Sequence, residues 1–430
     1  LSTFATAATV TLDGGGAASQ QFNYSAPNVN GAPVSEFGEF AALQSGAAFG
    51  TYWSTTSGAA QTGLLNNDLT CLSNVVLNLN SGKCSGTLIG GANTVHYAVA
   101  ESVLTTAQIS TWSTSATGQT AAGNLIQIPM LGTGLAIVVN KPGVTANGQI
   151  VLSDNDLCGI FSGKITNFDQ IIDGPAKFPP QPLTVVYRSD SAGTTFLLTN
   201  HLSAVCTTSN SNITFTPGSS LSAQFGTAGV PANFAGVSGL AALANTMAGL
   251  EPNTYPAAIS YVSPDWTSVD SATSSAKLSN GQPSPLLVAA LRNGPHTYLP
   301  IVASITLGLM HPKLGQHLTP PTTAATAALP SSWVPVIQDT TIGYPIVGYS
   351  TFDLPQCYAS ATIAAGMIAF LEDHYRNASF LKIENNNGLS TPSNNNGHFV
   401  QQIEANILVN HNKWNVNIQN PTACKGLAGR

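Results

Sequence analysis

The sequence predicts an α/β fold divided into two lobes, and three observations carry that expectation. The chain has 430 residues, more than one hydrophobic core ordinarily serves. Strands rich in β-branched and aromatic residues run repeatedly into Ser/Gly turns and helix starts. The apolar run Leu135-Ala136-Ile137-Val138-Val139 reads as a crossing into a second lobe, and Ile259-Ser260-Tyr261-Val262 as the return. Those crossings divide the chain into a first lobe of residues 1–130 with 263–430 and a second of residues 131–262.

Taken in order, residues 9–12 predict a strand, Gly14-Gly15-Gly16 a tight turn, and Ala17 onward a loop or helix start. Phe49 to Ser54 predicts a strand entering the turn Thr55-Thr56-Ser57-Gly58, and Val95 to Ser102 a buried strand that ends beside Glu101. Leu157 to Asp169 reads as helix and loop. Leu183-Thr184-Val185-Val186-Tyr187 has the composition of a buried strand. After it, Ser189, Asp190 and Ser191 read as capping residues, and Phe196-Leu197-Leu198 opens a helix that ends near Cys206. A helix follows Gly236-Val237-Ser238-Gly239. Ala359 to Arg376 is helical, with Ile363, Met367, Phe370 and Leu371 on one apolar face. Residues 385–397, rich in Asn, Gly, Ser and Pro, read as a loop.

Composition narrows the function classes. Hydrophobic residues make up 43% of the chain and charged residues only 7%, against an ordinary charged share of ~25%. The surface is therefore built from Ser, Thr, Asn, Gln, Gly and Ala, and its weak self-repulsion favours self-association. A net charge of −6 with 13 scattered Lys and Arg residues argues against nucleic acid. No apolar run approaches the ~18–20 residues that span a bilayer. The opening Leu1 to Ala7 reads either as the end of a processed signal peptide or as a short edge strand.

Six cysteines form an even set without a Cys-x-x-Cys or an adjacent His pair, which points to disulfides and an oxidising compartment rather than zinc. The histidines are dispersed, with His96 and His201 reading as structural. Asp154-Asn155-Asp156 lacks the remaining ligands of a calcium loop, and no Gly-x-Ser-x-Gly elbow occurs. No metal or cofactor is expected. Asn23, Asn212 and Asn377 begin glycosylation sequons.

The stretch that carries chemistry is Arg188-Ser189-Asp190-Ser191-Ala192-Gly193-Thr194-Thr195. A first helical turn presents free N–H groups to an anion, Gly193 permits close approach, and Arg188 offers a planar fork matched to an oxyanion. The spacing is not that of a nucleotide P-loop.

This stretch resembles the phosphate-binding signature of the DING proteins, which belong with the phosphate-binding subunit of the bacterial phosphate transporter. Further blocks fall in the same order: Asp13-Gly14-Gly15-Gly16-Ala17, Thr55-Thr56-Ser57-Gly58, Val95-His96-Tyr97-Ala98, Leu157-Cys158-Gly159-Ile160-Phe161-Ser162-Gly163, Ile259 to Asp265, and Tyr344-Pro345-Ile346-Val347-Gly348-Tyr349. The resemblance implies a two-lobed periplasmic-binding-protein fold of type II, hinged between lobes, with phosphate or a related oxyanion in the cleft. It implies a site of Ala18, Ser19, Ser57, Glu101, Arg188, Ala192, Gly193 and Thr194. Three of these depart from the pattern: Ala18 stands at a Thr position, Ala192 at a Ser position, and Glu101 at an Asp position. Ser19 and Ser191 flank the two lost hydroxyls. The acid implies selectivity, because phosphate donates a proton to it and sulfate has none to give.

In sequence order the natural disulfides are Cys71–Cys84, Cys158–Cys206 and Cys357–Cys424, and the last two match the family's pattern. The dozen residues before the Gly triplet do not, and residues 263–340 diverge most. The resemblance further implies a secreted or periplasmic location and a membrane ABC transporter as partner. Two alternatives stand beside phosphate binding: a secreted DING-like phosphatase acting on phosphomonoesters, and an extracellular assembly protein that has kept the fold.

Overall fold

A computed structural model describes residues 10–26, 32–43, 47–72, 84, 94–140, 150–173, 178–249, 255, 257–269, 286–313 and 319–430. The expectations for Leu1 to Ala7 and for Thr9 lie outside these residues. Along the chain the strands are β1 (Val10–Ala17), β2 (Ala47–Thr55), β3 (Tyr97–Ala100) and β4 (Leu125–Gly134), then β5 (Ala136–Asn140), β6 (Val151–Leu152) and β7 (Thr184–Arg188). They continue as β8 (Phe234–Val237), β9 (Ala258–Val262), β10 (Leu287–Val288), β11 (Ala290–Asn293), β12 (His296–Tyr298) and β13 (Val347–Pro355). One sheet has the order β2-β1-β3-β13-β4, a second β10-β5-β9-β7-β8, and a small third β12-β11-β6.

Each large sheet is covered on both faces, so its strands alternate between two cores rather than between core and water. In β3, Val99 joins a cluster with Phe352 and Phe370, while Ala98 joins one with Leu64 and Trp112. In β5, Ile137 packs with Leu157 and Phe161, and Val138 with Leu243 and Met247. The chain passes between the sheets at Leu135, the single residue separating β4 from β5. There the Leu135 N–H donates to the Ile346 carbonyl at 3.1 Å and the Tyr344 hydroxyl donates to the Leu135 carbonyl at 2.5 Å.

β9 runs back to that crossing, since Val262 pairs with Ala136. The chain beyond it does not stay with the first sheet: β10 pairs with β5 and β11 with β6, and β13 is the strand that rejoins β3 and β4. The expected lobe boundary at residue 263 thus leaves the segment 287–298 in the first lobe by sequence, whereas its strands join the second sheet and its neighbour.

Several local expectations are corrected. The Gly triplet is not a turn. It lies inside β1 with parallel strands on both sides, Gly14 facing Tyr52 and Tyr97. A Cβ at Gly15 would stand 2.2 Å from the Trp53 carbonyl oxygen, and one at Gly16 2.0 Å from that of Val99. Glycine is required there by crowding, not by a turn conformation. The expected loop at 385–397 ends in the helix Pro392–Ile403. Pro392 fits a first helical position, and Phe399, Val400 and Ile403 bury against the first-lobe core. Asp154-Asn155-Asp156, which reads as lacking the ligands of a calcium loop, is a helix start capped by Ser153 and Asp156 in a reciprocal box. The three disulfides form as expected, Cys71–Cys84, Cys158–Cys206 and Cys357–Cys424. Among the described residues no helix is long and apolar enough to cross a membrane.

Candidate functional site

The parallel strands β1, β2 and β3 of the first sheet and β7 of the second end at one place, and side chains at or just past their carboxyl ends meet there. This is where open α/β sheets ordinarily hold ligands. The small cavity is lined by all eight expected residues, Ala18, Ser19, Ser57, Glu101, Arg188, Ala192, Gly193 and Thr194, together with Ala17, Thr55 and Thr56. Arg188, Glu101 and Thr194 are only 4%, 3% and 2% exposed, so a polar group that enters exchanges water for protein hydrogen bonds.

From the second lobe, β7 delivers Arg188 and the helix Gly193–Val205 delivers its first turn. Tyr261 of β9 joins the two: its hydroxyl accepts the Arg188 N–H at 3.2 Å and shares a 2.7 Å hydrogen bond with the Thr195 hydroxyl. The guanidinium is gripped on one edge by Asp190, Nε to Oδ1 at 2.7 Å and Nη2 to Oδ2 at 2.5 Å. Its remaining N–H groups are left for the cavity. The expectation that Ser189, Asp190 and Ser191 cap this helix fails. The N-cap is Ala192, which has no capping side chain. Asp190 orients Arg188 instead, and Ser191 bonds the Ser219 hydroxyl at 2.8 Å, so it does not supply the hydroxyl missing at Ala192. The N–H groups of Gly193 and Thr194 have no acceptor within their helix.

From the first lobe, Thr56 caps the helix Ser57–Asn66 by accepting the Ala59 N–H. This frees Ser57, whose Oγ accepts the Glu101 N–H at 3.1 Å. Gln20 donates from Nε2 to Glu101 Oε1 at 3.1 Å. Burial raises the Glu101 pKa, while Ser19, Gln20 and Arg188 draw it back down. Ser19 faces this carboxyl without the geometry of a full hydrogen bond, and the hydroxyls of Thr55 and Thr194 are buried with no partner in the protein. Orphaned buried hydroxyls are rare in native proteins and mark places where a ligand or water completes the bonding.

A PBP superfamily domain matches residues 32–306. Alkaline phosphatase L of Pseudomonas aeruginosa is 32% identical over 293 residues, 68% of this chain and 68% of its own. A solved DING-type structure, a high affinity periplasmic phosphate-binding protein bound with phosphate, is similar with a TM-score of 0.72 at 28% identity, over 98% of this chain and 99% of that one. A phosphate-binding protein from an unknown prokaryotic organism is 30% identical over 349 residues, 77% of this chain and 84% of its own.

The chain belongs to the DING and phosphate-binding protein family.

For a member of this family the sequence left four contributors unassigned. Gln20 and Asp190 orient the charged groups, Thr55 offers an unpaired hydroxyl, and Asp265 is a buried acid close enough to feel the Glu101 carboxylate. Burial pushes the Asp265 pKa up to about 8, with the Ser263 hydroxyl opposing and Glu101 adding to the rise. His201 is structural, held between Asp154 and the Gln338 carbonyl.

Proposed function

We propose that this chain binds inorganic phosphate between its lobes, in a secreted or periplasmic setting. The observation that carries the reading is the meeting, in one buried cavity, of the Arg188 fork, the first-turn N–H groups at Gly193 and Thr194, the unpaired hydroxyls of Thr55 and Thr194, and the Glu101 carboxyl. The donors match a tetrahedral oxyanion, and Glu101 accepts the proton that hydrogen phosphate carries. Three disulfides suit an oxidising compartment. Delivery to a membrane transporter fits the same reading, and the low-charge surface suits contact between copies.

The likeness to Alkaline phosphatase L gives phosphomonoester hydrolysis as the second reading. Against it, among the described residues Ser57 Oγ bonds the Glu101 N–H and no general base that would take its proton, so binding without chemistry is preferred. Titration calorimetry tests the main reading. Arg188→Lys keeps a cation against Asp190 but loses the fork, and phosphate affinity should fall roughly tenfold to hundredfold. Unchanged affinity would remove the assignment, and phosphate release from an ester by the parent protein would favour the hydrolase.

A further inference from the structure

Beside the phosphate cavity lies a second, larger space of about 570 Å³, within the size range of small-molecule sites. The two share a wall: Ala18, Thr55 and Thr56 line both. At this wall Ala18 presents only a methyl group where a larger side chain would stand between the two spaces. The far side is the start of the helix Leu240–Met247, whose N-cap is Gly239 with φ 89° and no side chain to cap it. The N–H groups of Leu240, Ala241 and Ala242 therefore lack acceptors within the helix. Trp266, 5% exposed and tilted against Phe22, lines the same groove, and its indole Nε1–H is buried without a hydrogen-bond partner. Thr55 adds a second unpaired group, a hydroxyl, on the shared wall.

These groups are mostly donors, but the groove also contains a carboxylate. Asp190 lines it and accepts from both Arg188 and the Gly239 N–H. A second anionic group would face that carboxylate directly. A neutral substituent with several hydroxyls suits every wall: its oxygens accept from Trp266, Thr55 and the helix start, its hydroxyl protons point to Asp190, and its carbon face lies against the indole.

We infer that the site takes a phosphomonoester of a polyol or sugar, with the phosphoryl group beside Arg188 and the hydroxylated substituent in the groove beside Trp266. This deepens the phosphate-binding reading and rests on it. The passage past Ala18 is what separates a protein that holds a substituted phosphate from one that closes over the bare ion.

Calorimetry with inorganic phosphate, glycerol 3-phosphate, glucose 1-phosphate and pyrophosphate tests the inference on the full chain. At least one of the two esters should bind about tenfold tighter than inorganic phosphate. Trp266→Phe, which removes only the indole donor, should cost that ester roughly threefold to tenfold and leave inorganic phosphate unchanged. Ala241→Trp, on the exposed face of the helix start, should block the ester by filling the groove and again spare phosphate. Ala18→Thr should move the two ligands in opposite directions, tightening phosphate through a new hydroxyl and weakening the ester by narrowing the passage. If phosphate binds and neither ester competes with it, or if pyrophosphate outcompetes both esters, the inference is overturned while the phosphate reading stands. If none of the four ligands binds, both fall together.

Discussion

Gly193 and Glu101 meet across the cleft so closely that a Cβ on Gly193 would stand 2.4 Å from the Glu101 Cβ and 2.5 Å from Ser57 Oγ. One residue belongs to the helix after β7 and the others to the ends of β2 and β3, so the contact is a gauge of lobe closure. Gly193→Ala should hold the lobes apart. Overpacking of this kind costs ~1–3 kcal/mol, so phosphate affinity should drop about tenfold to hundredfold. Small-angle scattering should find the variant more extended than the parent when both are saturated with phosphate. A variant that closes normally and binds like the parent would show that the contact is easily relieved.

With Glu101 as the acceptor of the phosphate proton, as proposed, phosphate is told from sulfate only while that carboxyl is ionised. Burial holds its pKa above the ordinary carboxylate value, so acidification protonates it sooner than an exposed acid and turns an acceptor into a donor. Competition binding should therefore find sulfate discrimination strong at alkaline pH and eroding as pH falls. Glu101→Gln should erode it at neutral pH by roughly tenfold to hundredfold. Discrimination that stays flat with pH in both proteins would locate selectivity elsewhere.

Ala192 is the N-cap of the cradle helix and has no hydroxyl to give. Ala192→Ser places one where it reaches either the helix start or the ligand. It should stabilise the ligand-free protein by ~1 kcal/mol or tighten phosphate by about tenfold, and urea unfolding with and without phosphate separates the two. No gain in either would mean that the first turn is already satisfied by water.

Asp353 lies at the centre of the first sheet, fully buried, accepting from Gln127 at 2.6 Å and Gln61 at 3.1 Å. Burial pushes its pKa from an ordinary 3.8 up to about 7, against the pull of Gln127, Gln61 and Thr351. A raised folded pKa means that the native state holds a proton the unfolded chain releases. The stabilising contribution is thus fully present below the ordinary value and is lost as pH rises through about 7. The melting temperature should fall by a few degrees across that window, and Asp353→Asn should flatten this part of the profile.

What the sequence made legible was whatever is contiguous. Arg188, Gly193 and Thr194 sit within one strand–turn–helix, so their convergence follows from local geometry. Ser57 and Glu101 needed the family resemblance, because nothing local says that β2 and β3 flank β1 and end at the same edge of the sheet. Gln20, Thr55 and Trp266 stayed silent because their significance is burial at a junction of lobes, which no local pattern encodes. The Gly triplet misled for the opposite reason. Three consecutive glycines signal a turn by propensity, and only the backbones of Trp53 and Val99 show why side chains are excluded from that strand. Composition likewise suggested a loop near Pro392, where packing of Phe399 and Ile403 imposes a helix.

The crossing at Leu135 bears on how long a ligand stays. Its carbonyl and N–H are both held, by Tyr344 and Ile346, while Arg188 and Glu101 on the two sides of the cavity are both buried. An anion held between Arg188 and Glu101 should be released as the lobes part, and Leu135 lies at the crossing about which they part. Residence time is then governed by the opening frequency of the protein rather than by the strength of any one bond to the anion. A carrier of this kind should keep its cargo through dilution and dialysis, and give it up quickly only to something that pries the lobes open.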